Sequence, residues 1–235
     1  MAHPRRARND PRQYDDLTAH WWEPHGPFAM LHWLARSRGA LVPVHPGGGG
    51  TLVDLGCGAG LLAPHVAGKG YRHIGVDLGA RALGVAAGHG VLPVRADVTA
   101  VPLPDGCADV VAAGEILEHV PDLAAGVAEA CRLLRPGGLL VVDTIAATRL
   151  ARLIAIGVAE RMPGGPPPGI HDPALLVDRT ALREEAARHG VHLEMRGIRP
   201  DMRDYLLWWL GRRPEVRLRP AFTSAVLFQA VGRKG

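Results

Sequence analysis

Short apolar runs alternate along most of this chain with stretches whose apolar positions recur at helical spacing. "TLVDLG" (51–56), "HIGVDL" (73–78), "VLPVRAD" (91–97), "CADVVAAGE" (107–115) and "LLVVDTI" (139–145) read as strands buried on both faces. "LLAPHVAGKG" (61–70), "ARALGVAAGHG" (80–90) and "DLAAGVAEACRLL" (122–134) read as helices, closed by glycine or by "RPGG". A further helix is expected over "ALREEAARHG" (181–190), with strands over "VHLEMRGI" and "AFTSAVLFQAVG". Strand, helix and strand in repetition predict an α/β fold: a doubly wound, mostly parallel sheet of seven strands, covered on both faces. Right-handed crossovers set the C-terminal ends of the parallel strands on one edge, where such sheets bind ligands.

Outside this repeat, 14–42 reads as helical in two pieces broken at Pro24 and Pro27. Residues 1–13 read as a flexible basic tail, and 14–235 as one domain. The strand pattern is interrupted over 145–177, an insertion expected to form a helical lid. Within it Leu150, Leu153, Ile154 and Val158 form an apolar stripe, with Arg149, Arg152 and Arg161 off it. Such a helix closes over a substrate, packs on the protein's own core, or lies on a membrane surface through 145–165. Trp208 and Trp209 suit an interfacial anchor or a pocket wall equally.

Composition narrows the class. With 47% apolar and 21% charged residues, the chain is globular, and no apolar run approaches the ~18 residues of a membrane span. Cys57, Cys107 and Cys131 are odd in number and contain no CxxC pair, which argues against a disulfide framework or structural zinc and fits a reducing cytoplasm. The net charge of +4 draws on Arg5, Arg6, Arg8 and Arg12 in the tail and on Arg212 and Arg213. That distribution suits an anionic surface, such as the inner face of a membrane. No basic stripe with interleaved aromatics is present, so no nucleic-acid partner is expected.

The densest chemistry lies in "VDLGCGAG" (53–60). Gly56, Gly58 and Gly60 follow a strand, which marks a place where something approaches the backbone closely. A dinucleotide fingerprint would need glycine at 61, where Leu61 stands. Asp54 precedes the turn, Asp77 ends the second strand and Asp97 the third. An acid at Asp77 suits two ribose hydroxyls, and one at Asp97 an adenine amino group. Three acidic strand ends with no phosphate-binding lysine suit a nucleoside that carries no phosphate.

"VDLGCGAG", "GVDL", "RADV" and "LLRPGGLLVV" resemble the motif series of class I S-adenosylmethionine-dependent methyltransferases. The resemblance implies a Rossmann-like methyltransferase sheet and S-adenosylmethionine bound by Asp54, Gly56, Cys57, Gly58, Gly60, Asp77, Leu78, Asp97 and Val98. The glycine turn then makes room for the cofactor. "WWEPHGPFAMLHWLARSR", "EILEHVPD", "TIAATRLARLIAIGVAE" and "GIHDPALLV" are similar to the ubiquinone-biosynthesis O-methyltransferases, which act on polyprenylated catechols and hydroquinone-type phenols. That resemblance implies a lipophilic phenolic substrate, an arginine on the cofactor (Arg38, with Arg36 as competitor) and cofactor contact at Gly114.

Glu115, Glu118 and His119 share one face if a helical turn starts at Glu115. The resemblance implies that they bind Mg2+ or another divalent ion, which would stabilise the phenolate of an acceptor whose free pKa is about 10. The structural alternative is a helix start with His119 packed or hydrogen-bonded. His119 is the first candidate general base, and His171, on the insertion, the second. Two other readings stay open: methylation of another small acceptor at O, C or N, and S-adenosylmethionine binding without catalysis. The segment 200–220 and "PGGPPPG" depart from the family's pattern, and the oligomeric state is not legible.

Overall fold

The computed structural model describes residues 7–235, so Arg5 and Arg6 of the basic tail lie outside the described residues. Eight strands form one sheet: β1 (Gly50–Leu55), β2 (Tyr71–Asp77), β3 (Leu92–Arg95), β4 (Ala108–Gly114), β5 (Leu134–Ile145), β6 (Glu194–Pro200), β7 (Leu218–Pro220) and β8 (Leu227–Arg233). Their order is β3-β2-β1-β4-β5-β8-β6-β7. The first five pair in parallel, and β8, β6 and β7 run antiparallel to their neighbours. The strand beyond the expected seven is β7, a three-residue edge strand on β6 that ends in Pro220, a residue tolerated only where no partner follows. β5 starts earlier than its apolar run, because Leu134 already pairs with Ala108 across a register shift.

Helices α1 (Arg12–Asp16), α2 (Ala29–Gly39), α3 (Ala63–Val66), α4 (Ala80–Gly88) and α5 (Leu123–Leu133) precede or separate these strands. β1 is buried along its whole length, as the continuous run "TLVDL" requires of a central parallel strand. Its neighbours are β2 and β4, so chain direction across the sheet reverses there and a crevice opens beyond the strand ends. The lower core is aliphatic, with Val53, Leu55, Val111, Leu140 and Phe228 among its buried members.

One expectation needs correction, and one of the open alternatives falls away. The stretch 7–13 does not trail away as a mobile tail: Arg8 donates to the His171 carbonyl at 2.7 Å and Asn9 to the His119 carbonyl at 3.0 Å. These bonds tie the start of the described chain to two distant loops. The apolar stripe of the insertion is not packed on the core either. α6 (Arg149–Ala151) runs on through a π-helical stretch, Arg152–Val158, and a 3-10 turn, Ala159–Arg161. Leu150, Leu153, Ile154 and Val158 remain exposed along it. The last helices, α7 (Arg179–Arg188) and α8 (Met202–Trp209), begin at Asp178 and Asp201, whose carboxylates accept backbone N–H groups of the first turn. Trp208 is buried against Trp33, while Trp209 faces outward.

Candidate active site

The glycine turn between β1 and α3 is a corner that only glycine can make. Gly56, Gly58 and Gly60 have φ of 67°, 50° and 81°, in the left-handed region where a Cβ is strained. The space is used by the protein itself as well: a Cβ on Gly56 would lie 2.6 Å from Ile116, and one on Gly58 would run into the Trp21 ring. Gly60 serves packing, with Ala86 and Val91 at 3.1 Å from the position its Cβ would take. Gly60 does not line the cavity above the turn.

That cavity encloses about 590 Å³. Asp54, Gly56, Cys57, Gly58, Asp77, Leu78, Asp97, Val98, Gly114 and Arg38 all border it, so nearly every residue singled out in the sequence for the cofactor meets there. The Asp77 carboxylate accepts the Gly58 N–H at 2.9 Å and the Gly79 N–H at 2.7 Å. Each oxygen keeps further acceptor capacity. Burial nevertheless pushes the Asp77 carboxyl above its usual range, against the two backbone donors. Asp97 closes a small turn, accepting from Thr99 through both N–H and hydroxyl.

Arg38 and Arg36 part company. Arg36 pairs with Glu215 at the surface. Arg38 is buried beside Gly114, where any Cβ would overlap its guanidinium, and pairs with Asp143 at the end of β5. Among the described residues its Nε has no partner, and neither has Asp143 Oδ2. A buried donor of this kind fits a ligand carboxylate, as the carboxylate-lined rim beyond it fits ribose and amino groups.

A second cavity of about 460 Å³ adjoins the first. Phe28, Trp33, Ile145, Ile154, Val158 and Phe222 are among its walls, which are almost wholly apolar. Tyr14, Leu31, Glu115 and His119 border both cavities. The junction is held by a short chain of hydrogen bonds. Asn9 donates its amide N–H to the His119 carbonyl, so its Oδ1 accepts from His119 Nδ1 at 2.6 Å. Nε2 then accepts from the Tyr14 hydroxyl at 2.9 Å. Burial first, and the neighbouring His171 second, hold the His119 imidazole at about 3, and it is neutral near pH 7. Asn9 and Tyr14 were not singled out in the sequence. Only their contact with His119 marks them, and a polar residue in a terminal segment carries no such signal.

The expected helical turn at Glu115 does not form. Glu115 adopts φ of 52°, a rare conformation for a side-chain-bearing residue, and Leu117–His119 make a 3-10 turn. Glu115, Glu118 and His119 therefore do not share one helical face. Glu118 is fully buried, lines neither cavity and accepts from the Thr144 hydroxyl at 2.7 Å. Among the described residues, Oε1 of Glu115 and Oε1 of Glu118 are both buried without a donor. Burial first, then the charge of Glu118, raises the Glu115 carboxyl well above its usual range. Two such orphaned oxygens fit a divalent cation. His119 offers a ligand atom within 4.8 Å of one on Glu118 and one on His171, and both its nitrogens are engaged in hydrogen bonds as it stands.

A family model described as a methyltransferase domain matches residues 53–142, from the end of β1 to β5. The ubiquinone biosynthesis O-methyltransferase of Cupriavidus pinatubonensis is 36% identical over 201 residues, covering 80% of this chain and 81% of that protein. The chain belongs to the ubiquinone biosynthesis O-methyltransferase family. The relative of the same name from Sodalis glossinidius is 37% identical over 198 residues, covering 75% of this chain and 78% of its own. The fold matches an S-adenosylmethionine-dependent methyltransferase of Thermotoga maritima, with a TM-score of 0.65 at 18% identity over 95% of this chain and 97% of that one. This protein is thus an S-adenosylmethionine-dependent methyltransferase. Among the described residues no helix is long and apolar enough to cross a membrane.

Proposed function

We propose that this methyltransferase methylates a phenolic oxygen of a lipophilic acceptor, a polyprenylated catechol or hydroquinone-type phenol of the ubiquinone pathway. The observation that carries the reading is the junction: a carboxylate-rimmed cavity meets an apolar one, and Tyr14, Glu115 and His119 stand between them. S-adenosylmethionine supplies a methyl group already activated on a sulfonium. The chain then has to bind, align and take up one proton.

In this reading Asp77 receives the ribose hydroxyls, Asp97 the adenine amino group and Arg38 the cofactor carboxylate. The backbone at Gly56, Cys57, Gly58 and Gly114 borders the rest, with Asp54, Leu78 and Val98. The apolar cavity takes the acceptor's hydrocarbon tail and excludes water from its ring. The Tyr14 hydroxyl accepts the acceptor's O–H hydrogen bond while its own hydrogen points to His119 Nε2. With S-adenosylmethionine bound, Tyr14 would take the acceptor proton and pass its own to His119, so that these two side chains carry away the one proton that methylation of the oxygen releases. A divalent ion on the Glu115 and Glu118 carboxylates would lower the pKa of the acceptor oxygen.

Exposed Leu150, Ile154, Val158, Met202 and Phe222 also border the apolar cavity, so its mouth is greasy. That supports peripheral docking of the insertion, 145–165, on a lipid surface from which a tailed acceptor enters. The test is release of S-adenosylhomocysteine with short-tailed prenyl catechols and with catechol itself, with mass spectrometry of the product. A tail-dependent methyl ether is expected. Turnover indifferent to the tail, or methylation at carbon, would overturn the reading.

A further inference from the structure

We propose that His73, a buried histidine outside the cavity, is a positioning residue that holds the Asp54 carboxylate for the ammonium group of the cofactor's methionine part. The inference rests on the cofactor reading given above, in which Asp77 and Asp97 serve the nucleoside and Arg38 the carboxylate. Asp54 is the rim carboxylate left over, and its place suits the remaining charge. It pairs with Ala112 across β1 and β4, two residues before Gly114, against which the Arg38 guanidinium lies. Both side chains border the same cavity, and an acid and an arginine at adjoining strand ends match the two charges of an α-amino acid.

Asp77 and Asp54 are fixed by different means. Asp77 is held by the backbone N–H groups of Gly58 and Gly79. Among the described residues, the only hydrogen bond to the Asp54 carboxylate is made by His73, whose Nε2 lies 3.4 Å from Oδ2. A carboxylate only accepts, so Nε2 carries the hydrogen. The register of β1 and β2 makes this contact: Leu52 lies opposite His73, and Asp54 opposite Gly75. Residues two apart on a strand point to one face, and a diagonal neighbour is within reach of a ring. Gly75 adds no side chain on that diagonal.

Packing alone does not account for a histidine here. His73 is 6% exposed and Asp54 3%, and Leu52 beside them belongs to an aliphatic cluster with Leu62, Val66 and Val110. Among the described residues the His73 Nδ1 is buried with no partner. A phenylalanine or leucine would fill the space without that orphaned nitrogen. The ring's one hydrogen bond goes to an acid on the cavity wall, while His73 itself does not line the cavity. Holding Oδ2 from behind leaves Oδ1 for the ligand.

The test is calorimetry on the full chain with two ligands that share the nucleoside and a thioether. S-adenosylhomocysteine carries the amino-acid end, and 5′-methylthioadenosine lacks it. His73→Phe should weaken S-adenosylhomocysteine binding about tenfold, the order for a hydrogen bond to a charged group, and change methylthioadenosine binding less than about twofold. His73→Gln, whose amide N–H stands in for Nε2–H, should bind S-adenosylhomocysteine within about threefold of the wild type. In an Asp54→Asn background, His73→Phe should change that affinity less than about twofold further. Circular dichroism checks that each variant is folded. Should His73→Phe not fold, nitrogen NMR of the wild type decides: the His73 ring should carry its hydrogen on Nε2, and its signal should shift with S-adenosylhomocysteine but not with methylthioadenosine. Equal losses for both ligands, no loss for either, or a hydrogen on Nδ1 would overturn the inference and leave the cofactor cavity standing. A wild type that binds neither ligand would overturn the cofactor reading as well.

Discussion

The Tyr14 hydroxyl lies 2.9 Å from Nε2 of His119, across 105 residues of sequence, where the polar and the apolar cavity meet. Burial and the charges of Glu118 and Glu115 raise the Tyr14 phenol well above 10, so it stays protonated and can only pass a proton on. Tyr14→Phe keeps the ring that stacks on Phe28 and removes the relay. Turnover should fall about 100-fold, within the usual range for one acid–base group. Affinity for S-adenosylmethionine should stay within about threefold by calorimetry. A wild-type rate would remove Tyr14 from the proton path.

His119 also imposes a pH dependence on folding. Its imidazole titrates near 6.5 in an unfolded chain and at about 3 when folded. Between those values the unfolded state binds the extra proton, so the folded state loses stability as pH falls below about 6.5, by up to ~1.4 kcal/mol per pH unit for one proton. The raised carboxyl of Glu115 works in the opposite sense, since it gains its proton in the folded state first. The readout is therefore the difference between wild type and His119→Gln in urea unfolding at pH 7.5, 6 and 5. The variant should lose less stability on acidification, and parallel curves would contradict the assignment.

Asp77 anchors two backbone N–H groups and, in the proposed reading, two ribose hydroxyls. Asp77→Ala should weaken S-adenosylmethionine binding by about 1 to 3 kcal/mol, roughly 5- to 150-fold. Equilibrium dialysis of the folded variant measures it, and unchanged affinity would place the ribose elsewhere.

Asp143 and Arg38 form a buried pair, 0% and 8% exposed. Asp143→Ala strands the guanidinium and should cost about 3 to 5 kcal/mol of stability. S-adenosylmethionine brings a carboxylate to the same arginine, so the cofactor should raise the melting temperature of the variant more than that of the wild type. An equal or smaller rise would show that Arg38 does not hold the cofactor.

Phe222 is fully exposed where it borders the apolar cavity, and Leu153 is 63% exposed on the insertion. Leu153→Glu with Phe222→Ser should lower partition onto anionic phospholipid vesicles about tenfold, the order expected from withdrawing one or two apolar side chains from lipid. Flotation assays read this directly. Unaltered partition would assign those side chains to something other than a membrane.

The linear sequence determined what depends on neighbours along the chain. Alternating periods gave the parallel strands and their helices, glycines gave the turn after β1, and acids at strand ends came together because parallel strands finish on one edge. Tertiary packing decided the rest. Arg38 rather than Arg36 faces the cavity because α2 buries one side only. Asn9 reaches His119 across 110 residues and Arg8 reaches His171 across 163, contacts that no local pattern encodes. The turn at Glu115 went unforeseen because its left-handed backbone, bonded through its N–H to the Asp143 carbonyl at 2.8 Å, is imposed by β5 and not by helix propensity. Periodicity reports which face of an element is dry. Which distant side chains share that dryness is settled only when the faces pack.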